Sequence, residues 1–505
     1  MSGIPRRWRL LAALAVAGGV VLLRSGSDDR EEPDDGEAQP ASIVSDCAPG
    51  EGPEGALCGV LEVLENRADP EGRKIGLNIL VLPATEQDPE PDPVFYLAGG
   101  PGQAATELAP LLRGLAPDLF RNRDSVFVDQ RGTGESNPLT CDFLEERTGY
   151  FDSMPEELSE EDWQDCLDSL DASPEHYTTP VAMDDLEEVR VALGYGRINL
   201  WGGSYGTRAA TVFLRRHPDS VRSVVLDGVA PVDMRIPLHF PEDGERALNL
   251  LTAACGADAA CDSRFPGLRD SIETLLASLD QDPPREYRIR HPRTGDWQEV
   301  PINRELVAGV LRAVLYSPQS AALVPLMVES ALDGDFGPLM VFADPVAGPQ
   351  LAIGMFLSVL CAEDVPFLTL DEAADAAEES FIGELMTEQM LEACAVWPRG
   401  EIPDGYREPV RSDAPVLILS GELDPVTPPR WGDHAAATLP NSRHLVVPGT
   451  GHGTLRAGCA TRLIGEFLDS ADPAALDASC LSGVARPPFW RSATGPVDPK
   501  PGTEQ

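Results

Sequence analysis

The sequence predicts an α/β protein: a mostly parallel sheet with helices on both faces, interrupted by one large, mainly helical cap insertion. Three observations carry this reading. Short apolar runs alternate with helical stretches from Val94 to Leu226. The alternation stops near Ile236 and resumes at Val416. One apolar run leads directly into a glycine-flanked serine, Gly202-Gly203-Ser204-Tyr205-Gly206.

The elements follow in chain order. Residues 57–64 and 75–82 read as a leading hairpin. Residues 94–97 form a short strand ending in Gly99-Gly100-Pro101-Gly102, and 125–128 another ending in Asp129-Gln130-Arg131-Gly132. Residues 183–193 have helical spacing, with Leu186, Val189 and Leu193 on one face. Residues 198–201 are a strand, 207–216 a helix and 223–226 a strand again. A hairpin-like piece at 287–300 interrupts an otherwise helical insertion, and strands return at 416–419 and 444–447. The expected division is a first core part at 46–235, a cap at 236–408 and a second core part at 409–505. From Arg486 the chain is Pro-rich and expected to run extended along the surface.

The amino-terminal end reads as an export signal. Arg6, Arg7 and Arg9 precede an uncharged apolar stretch at 10–23, short of the ~20 residues a membrane helix needs. Residues 1–24 are therefore expected to be a signal peptide and 25–45 an acidic linker. No A-x-A site follows, so an uncleaved anchor is the alternative. The ten cysteines are even in number and form no C-x-x-C, which in an exported chain points to disulfides. Neighbours in sequence close small loops, giving 47–58, 141–166, 255–261, 361–394 and 459–480. The seven histidines are scattered, none at ligand spacing with a cysteine pair, so no metal is expected.

The strongest chemical signal is Gly202-x-Ser204-x-Gly206 between a strand and a helix. A serine there sits in a strained turn that lifts its hydroxyl clear of the backbone. Serine needs a base. His452 lies in the Gly-rich loop after the last strand, and Asp424 follows the preceding strand. The order Ser, Asp, His fits an α/β-hydrolase. Asp227, after the strand ending at Leu226, is the rival acid, and Glu422 a weaker one. The oxyanion hole needs two N–H donors, expected from Tyr205 and Gly100. No cofactor is implied.

The combination Leu97-Ala98-Gly99-Gly100-Pro101-Gly102-Gln103, Asp129-Gln130-Arg131-Gly132-Thr133-Gly134-Glu135-Ser136, Tyr177-Thr178-Thr179, Asp184-Asp185-Leu186, the serine motif and the Asp424 and His452 loops resembles the proline iminopeptidase and tripeptidyl aminopeptidase branch of the α/β-hydrolases. The iminopeptidase pattern has His where this chain has Ala98, which favours the tripeptidyl side. The resemblance implies exopeptidase action on peptides with a free amino terminus, held by acidic residues under a helical cap. Glu363 and Asp364 are the candidates, since a buried carboxylate needs a cation and a substrate ammonium would supply one. A carboxylesterase or lipase with the same triad, and a non-catalytic hydrolase-fold binding module, are the competing readings.

Charge argues against nucleic acid as a partner: 39 basic against 83 acidic residues leave −44. Residues 1–24 carry +4 and 28–37 carry −6, so −42 belongs to the body from Asp46 onward. Lys74 and Lys500 are the only lysines. Such a shell suits high salt, though a codon bias toward Arg gives the same depletion. Salt shortens the Debye length from ~10 Å at 0.1 M to ~3 Å at 1 M. The melting temperature is therefore expected to rise from low to molar NaCl; a flat or falling curve would leave codon bias as the cause.

Overall fold

The computed structural model describes residues 43–141, 158–281, 283–291, 294–343 and 351–497. The expected signal and nearly all of the linker lie outside them.

Among the described residues nine strands form one sheet: β1 (Val44–Asp46), β2 (Leu57–Leu64), β3 (Lys74–Leu82), β4 (Val94–Leu97), β5 (Ser125–Val128), β6 (Ile198–Gly203), β7 (Val221–Asp227), β10 (Val416–Gly421) and β11 (Ser442–Val447). Their order is β1-β2-β3-β5-β4-β6-β7-β10-β11. The pairs from β1 to β5 through β3 are antiparallel, and every pair from β5 to β11 is parallel. The remaining strands, β8 (Arg285–Arg290) and β9 (Trp297–Ile302), pair only with each other.

Side chains alternate across a strand, and here both sides are buried. Leu200, Val224, Leu226, Val416 and Ile418 join one apolar cluster. Trp201, Val225, Leu417 and Leu419 join another on the opposite face. This is why the central strands read as unbroken apolar runs. The first face is covered by α1 (Thr179–Ala192) and α2 (Tyr205–Arg216), through Met183, Val189, Ala209 and Phe213. The second is covered by the helix Ala460–Ser470, through Leu463 and Phe467.

Two helices start earlier than their apolar spacing implied. Pro180 lies in the first turn of α1, where its missing N–H costs nothing. The turn at Ser204 is tight enough for α2 to begin at Tyr205.

Between Asp227 and Val416 the chain adds no strand to this sheet among the described residues. Instead α3 (Phe240–Ala257), α4 (Arg304–Leu315) and shorter helices pack with the β8–β9 hairpin. Their core is separate, built from Leu248, Ile272, Leu275, Val307, Leu311 and Val328. The later helix α5 (Ile353–Glu363) returns to the sheet, placing Met355 and Val359 in the first-face cluster.

All five local disulfides form as their sequence neighbours implied. No cysteine is free. Each such loop typically contributes ~2–4 kcal/mol. Peptide mass mapping without reduction is expected to recover these five pairs from the purified protein. A titratable thiol, or a crossed pair, would contradict the arrangement.

Candidate active site

Ser204 joins β6 to α2 with φ 55 and ψ −127, a conformation that side-chain-bearing residues rarely adopt. The flanking glycines are required by space. A Cβ at Gly202 would lie 2.2 Å from the Gly206 carbonyl oxygen, and one at Gly206 would lie 2.0 Å from that of Leu97. The turn is fixed from two sides. Ser204 N donates to the Asp227 carbonyl at 2.9 Å, and Thr207 Oγ1 donates to the Ser204 carbonyl at 2.6 Å.

The 99–102 loop lies against this turn: a Cβ at Gly99 would be 3.2 Å from Ser204 Cβ. Gly100 has φ +103, open to glycine and strained for other residues. Tyr205 opens α2, so its N–H is among those without an intrahelical acceptor. Both expected oxyanion donors therefore belong to segments bordering Ser204.

His452 is held from both its backbone and its ring. Its N–H donates to the Tyr316 carbonyl at 2.8 Å, its ring meets the Tyr316 ring edge-on at 5.1 Å, and Nδ1 lies 2.8 Å from Asp424 Oδ2. An ionised carboxylate only accepts, so Nδ1 carries the proton and Nε2 keeps its lone pair in the neutral ring. Asp424 is fully buried and also accepts from Val426 N, Thr427 N and Thr427 Oγ1 at 2.8–2.9 Å. Burial alone would raise its pKa, but His452 and these donors hold it below the usual carboxylate value. Burial likewise opposes charge on His452, yet Asp424 outweighs it and raises the imidazole above its ordinary 6.5.

Asp227, the rival acid, takes a different place. Both its oxygens accept from Thr454 N, at 3.0 and 2.9 Å. Burial pushes its pKa up to about 6. Gly228 follows, and a Cβ there would lie 3.3 Å from His452 Cε1. Thus Asp227 touches the Ser204 turn through its carbonyl and the His452 loop through its carboxylate. Glu422 sits on the same loop as Asp424 and accepts from Gly449 N at 2.8 Å.

Sequence comparison supports the same fold. Residues 92–294 match the model of the alpha/beta hydrolase fold, and residues 379–480 match that of TAP-like proteins. The chain has the α/β-hydrolase fold, and its carboxy-terminal part matches the TAP-like model. The serine protease Hip1 of Mycobacterium tuberculosis is 24% identical over 458 residues, 82% of this chain and 85% of its own length. The tripeptidyl aminopeptidase of Streptomyces lividans is 29% identical over 192 residues, and the proline iminopeptidase of Neisseria gonorrhoeae 32% over 147. These two matches span 36% and 35% of those relatives and 35% and 28% of this chain.

In this hydrolase Glu363 and Asp364 already have a cation. Arg208, on α2, is fully buried and bonds Asp364 at 2.7 and 3.1 Å, with Glu363 Oε2 at 3.7 Å. Glu363 also accepts from Thr179 N at 2.7 Å, from Thr179 Oγ1 at 2.9 Å and from Tyr406 Oη. Thr179 Oγ1 lies 2.6 Å from Tyr205 Oη. The cation beside these two carboxylates is thus an internal guanidinium, and the cluster braces the helix that follows the serine. Arg208 and Tyr316 were not singled out from sequence. Arg208 could have been noticed as an arginine in the buried first turns of the helix after the serine motif. Tyr316 lies in the insertion and carries no local signal.

Removing one partner from a buried ion pair costs ~3–5 kcal/mol. Glu363→Gln is therefore expected to lower the thermal midpoint and to reduce ester and peptide turnover in equal proportion. Loss confined to substrates with a free amine, at unchanged stability, would restore Glu363 as the amine anchor.

Proposed function

We propose that this hydrolase is an exported serine peptidase of aminopeptidase type, releasing single residues, dipeptides or tripeptides from the amino end of peptides. The observation that carries the reading is the 2.8 Å contact between buried Asp424 and His452, in loops beside the strained Ser204 turn. The names of the relatives support a peptidase with an aminopeptidase bias. Five disulfides fit an oxidising compartment and so support export.

Each residue then has a role. His452 Nε2 takes the proton as Ser204 Oγ attacks the scissile carbonyl. The oxyanion forms toward the N–H groups of Gly100 and Tyr205. Asp424 holds the ring in the Nδ1–H tautomer and stabilises the imidazolium. His452 returns the proton to the leaving amine, releasing the shortened peptide and leaving the amino-terminal unit on Ser204 as an ester. Water repeats the cycle and frees it.

Fluorogenic amides with free and acetylated amino termini, beside an ester of similar size, test the reading. Ser204→Ala is expected to lower kcat by ~10⁶. Asp424→Asn is expected to cost ~10⁴ through loss of the tautomer, and Asp227→Asn far less. Because only neutral His452 accepts a proton, activity should fall as pH drops through its raised pKa, placing the acid limb of kcat/KM above the ordinary histidine value. Acetylation should remove most peptide turnover. Equal cleavage of free and acetylated amides would end the aminopeptidase reading, and ester turnover alone would make the protein an esterase.

A further inference from the structure

Arg312 lies on α4, one helical turn before Tyr316, which anchors His452. Its guanidinium carbon is 4.7 Å from the Phe240 ring centroid and 5.5 Å from that of Tyr316. Nη2 donates to Tyr316 Oη at 3.1 Å, and Nε is buried without a partner. Among the described residues no carboxylate lies within 4.0 Å of it. The buried arginines differ: Arg123, Arg131 and Arg208 each hold an aspartate. With 83 acidic residues available, an arginine beside the site has been left unpaired. Arg312 is only partly buried, so solvent still reaches it. Its charge is felt at His452, where it opposes protonation.

We propose that Arg312 binds a carboxylate of the substrate and so selects peptides that carry an acidic group near the scissile bond. The proposal rests on the peptidase reading. The guanidinium fork matches a carboxylate in two parallel hydrogen bonds. Two aromatic rings flank the group and lower the local dielectric on those sides, which strengthens its pull on an anion. A strongly negative protein repels acidic peptides at long range, so a local cation decides whether they are held once they arrive. The carboxylate can come from an Asp or Glu side chain or from the carboxy terminus of a short peptide. Both sources present the same chemistry.

The test uses the full-length protein and its Arg312→Gln and Arg312→Lys variants. Matched substrates differ as Glu against Gln on either side of the scissile bond, and as free acid against carboxamide at the carboxy terminus. The readout is the acid-to-neutral ratio of kcat/KM within each protein, which cancels any general loss transmitted through Tyr316. Losing a hydrogen bond to a charged group corresponds to about 10- to 150-fold. The ratio for at least one pair is expected to fall by that factor in Arg312→Gln, and Arg312→Lys to recover part of it. Unchanged ratios for all three pairs would overturn the proposal. If a fluorophosphonate labels Ser204 but no peptide is cleaved, the peptidase reading fails separately. Arg312 is then judged by how strongly Glu and Gln peptides slow that labelling, and equal slowing overturns it.

Discussion

The site depends on a backbone crossing that admits no side chain. At Gly202 and Gly206 a Cβ would fall 2.2 and 2.0 Å from carbonyl oxygens, so β6 and α2 meet in a turn only glycine can flank. Ser204 takes up the resulting positive φ. Strain of this kind costs ~1–3 kcal/mol and persists only where the surroundings over-determine it. Here they do, through the Asp227 carbonyl and the Thr207 hydroxyl, while the Arg208 cluster anchors the helix that follows.

That division of labour explains why so many charges are buried near a serine that needs none of them directly. The Arg208, Glu363 and Asp364 group, with Thr179 and Tyr406, ties α2 to α1, α5 and the end of the insertion. A hydrophobic core alone would place α2 against the sheet. Directional bonds also set its rotation and its height along the strand axis.

Legibility in the sequence followed the range of the forces involved. The glycine requirement at Ser204 is local, and so are the strand-to-loop positions of Asp424 and His452. Those were readable from residue order. The central strands were readable because burial on both faces leaves an unbroken apolar run. The partner of Glu363 was not. Sequence shows that a buried carboxylate needs a cation, but the choice between substrate and Arg208 is made by packing across more than a hundred residues. The grip of Tyr316 on His452 was hidden for the same reason, since it spans the whole distance from the insertion to the last loop.

The hydrogen bond from His452 N to the Tyr316 carbonyl has a consequence for how the molecule is built. The insertion reaches the site through Tyr316 and is one of the supports of the proposed base. Gly451 confirms how close the two pieces run, for a Cβ there would meet the same carbonyl at 2.2 Å. The two parts are thus not interchangeable modules. A chimera that exchanges the insertion must carry the backbone around Tyr316 with it, or the imidazole loses an anchor that no residue of the sheet domain supplies.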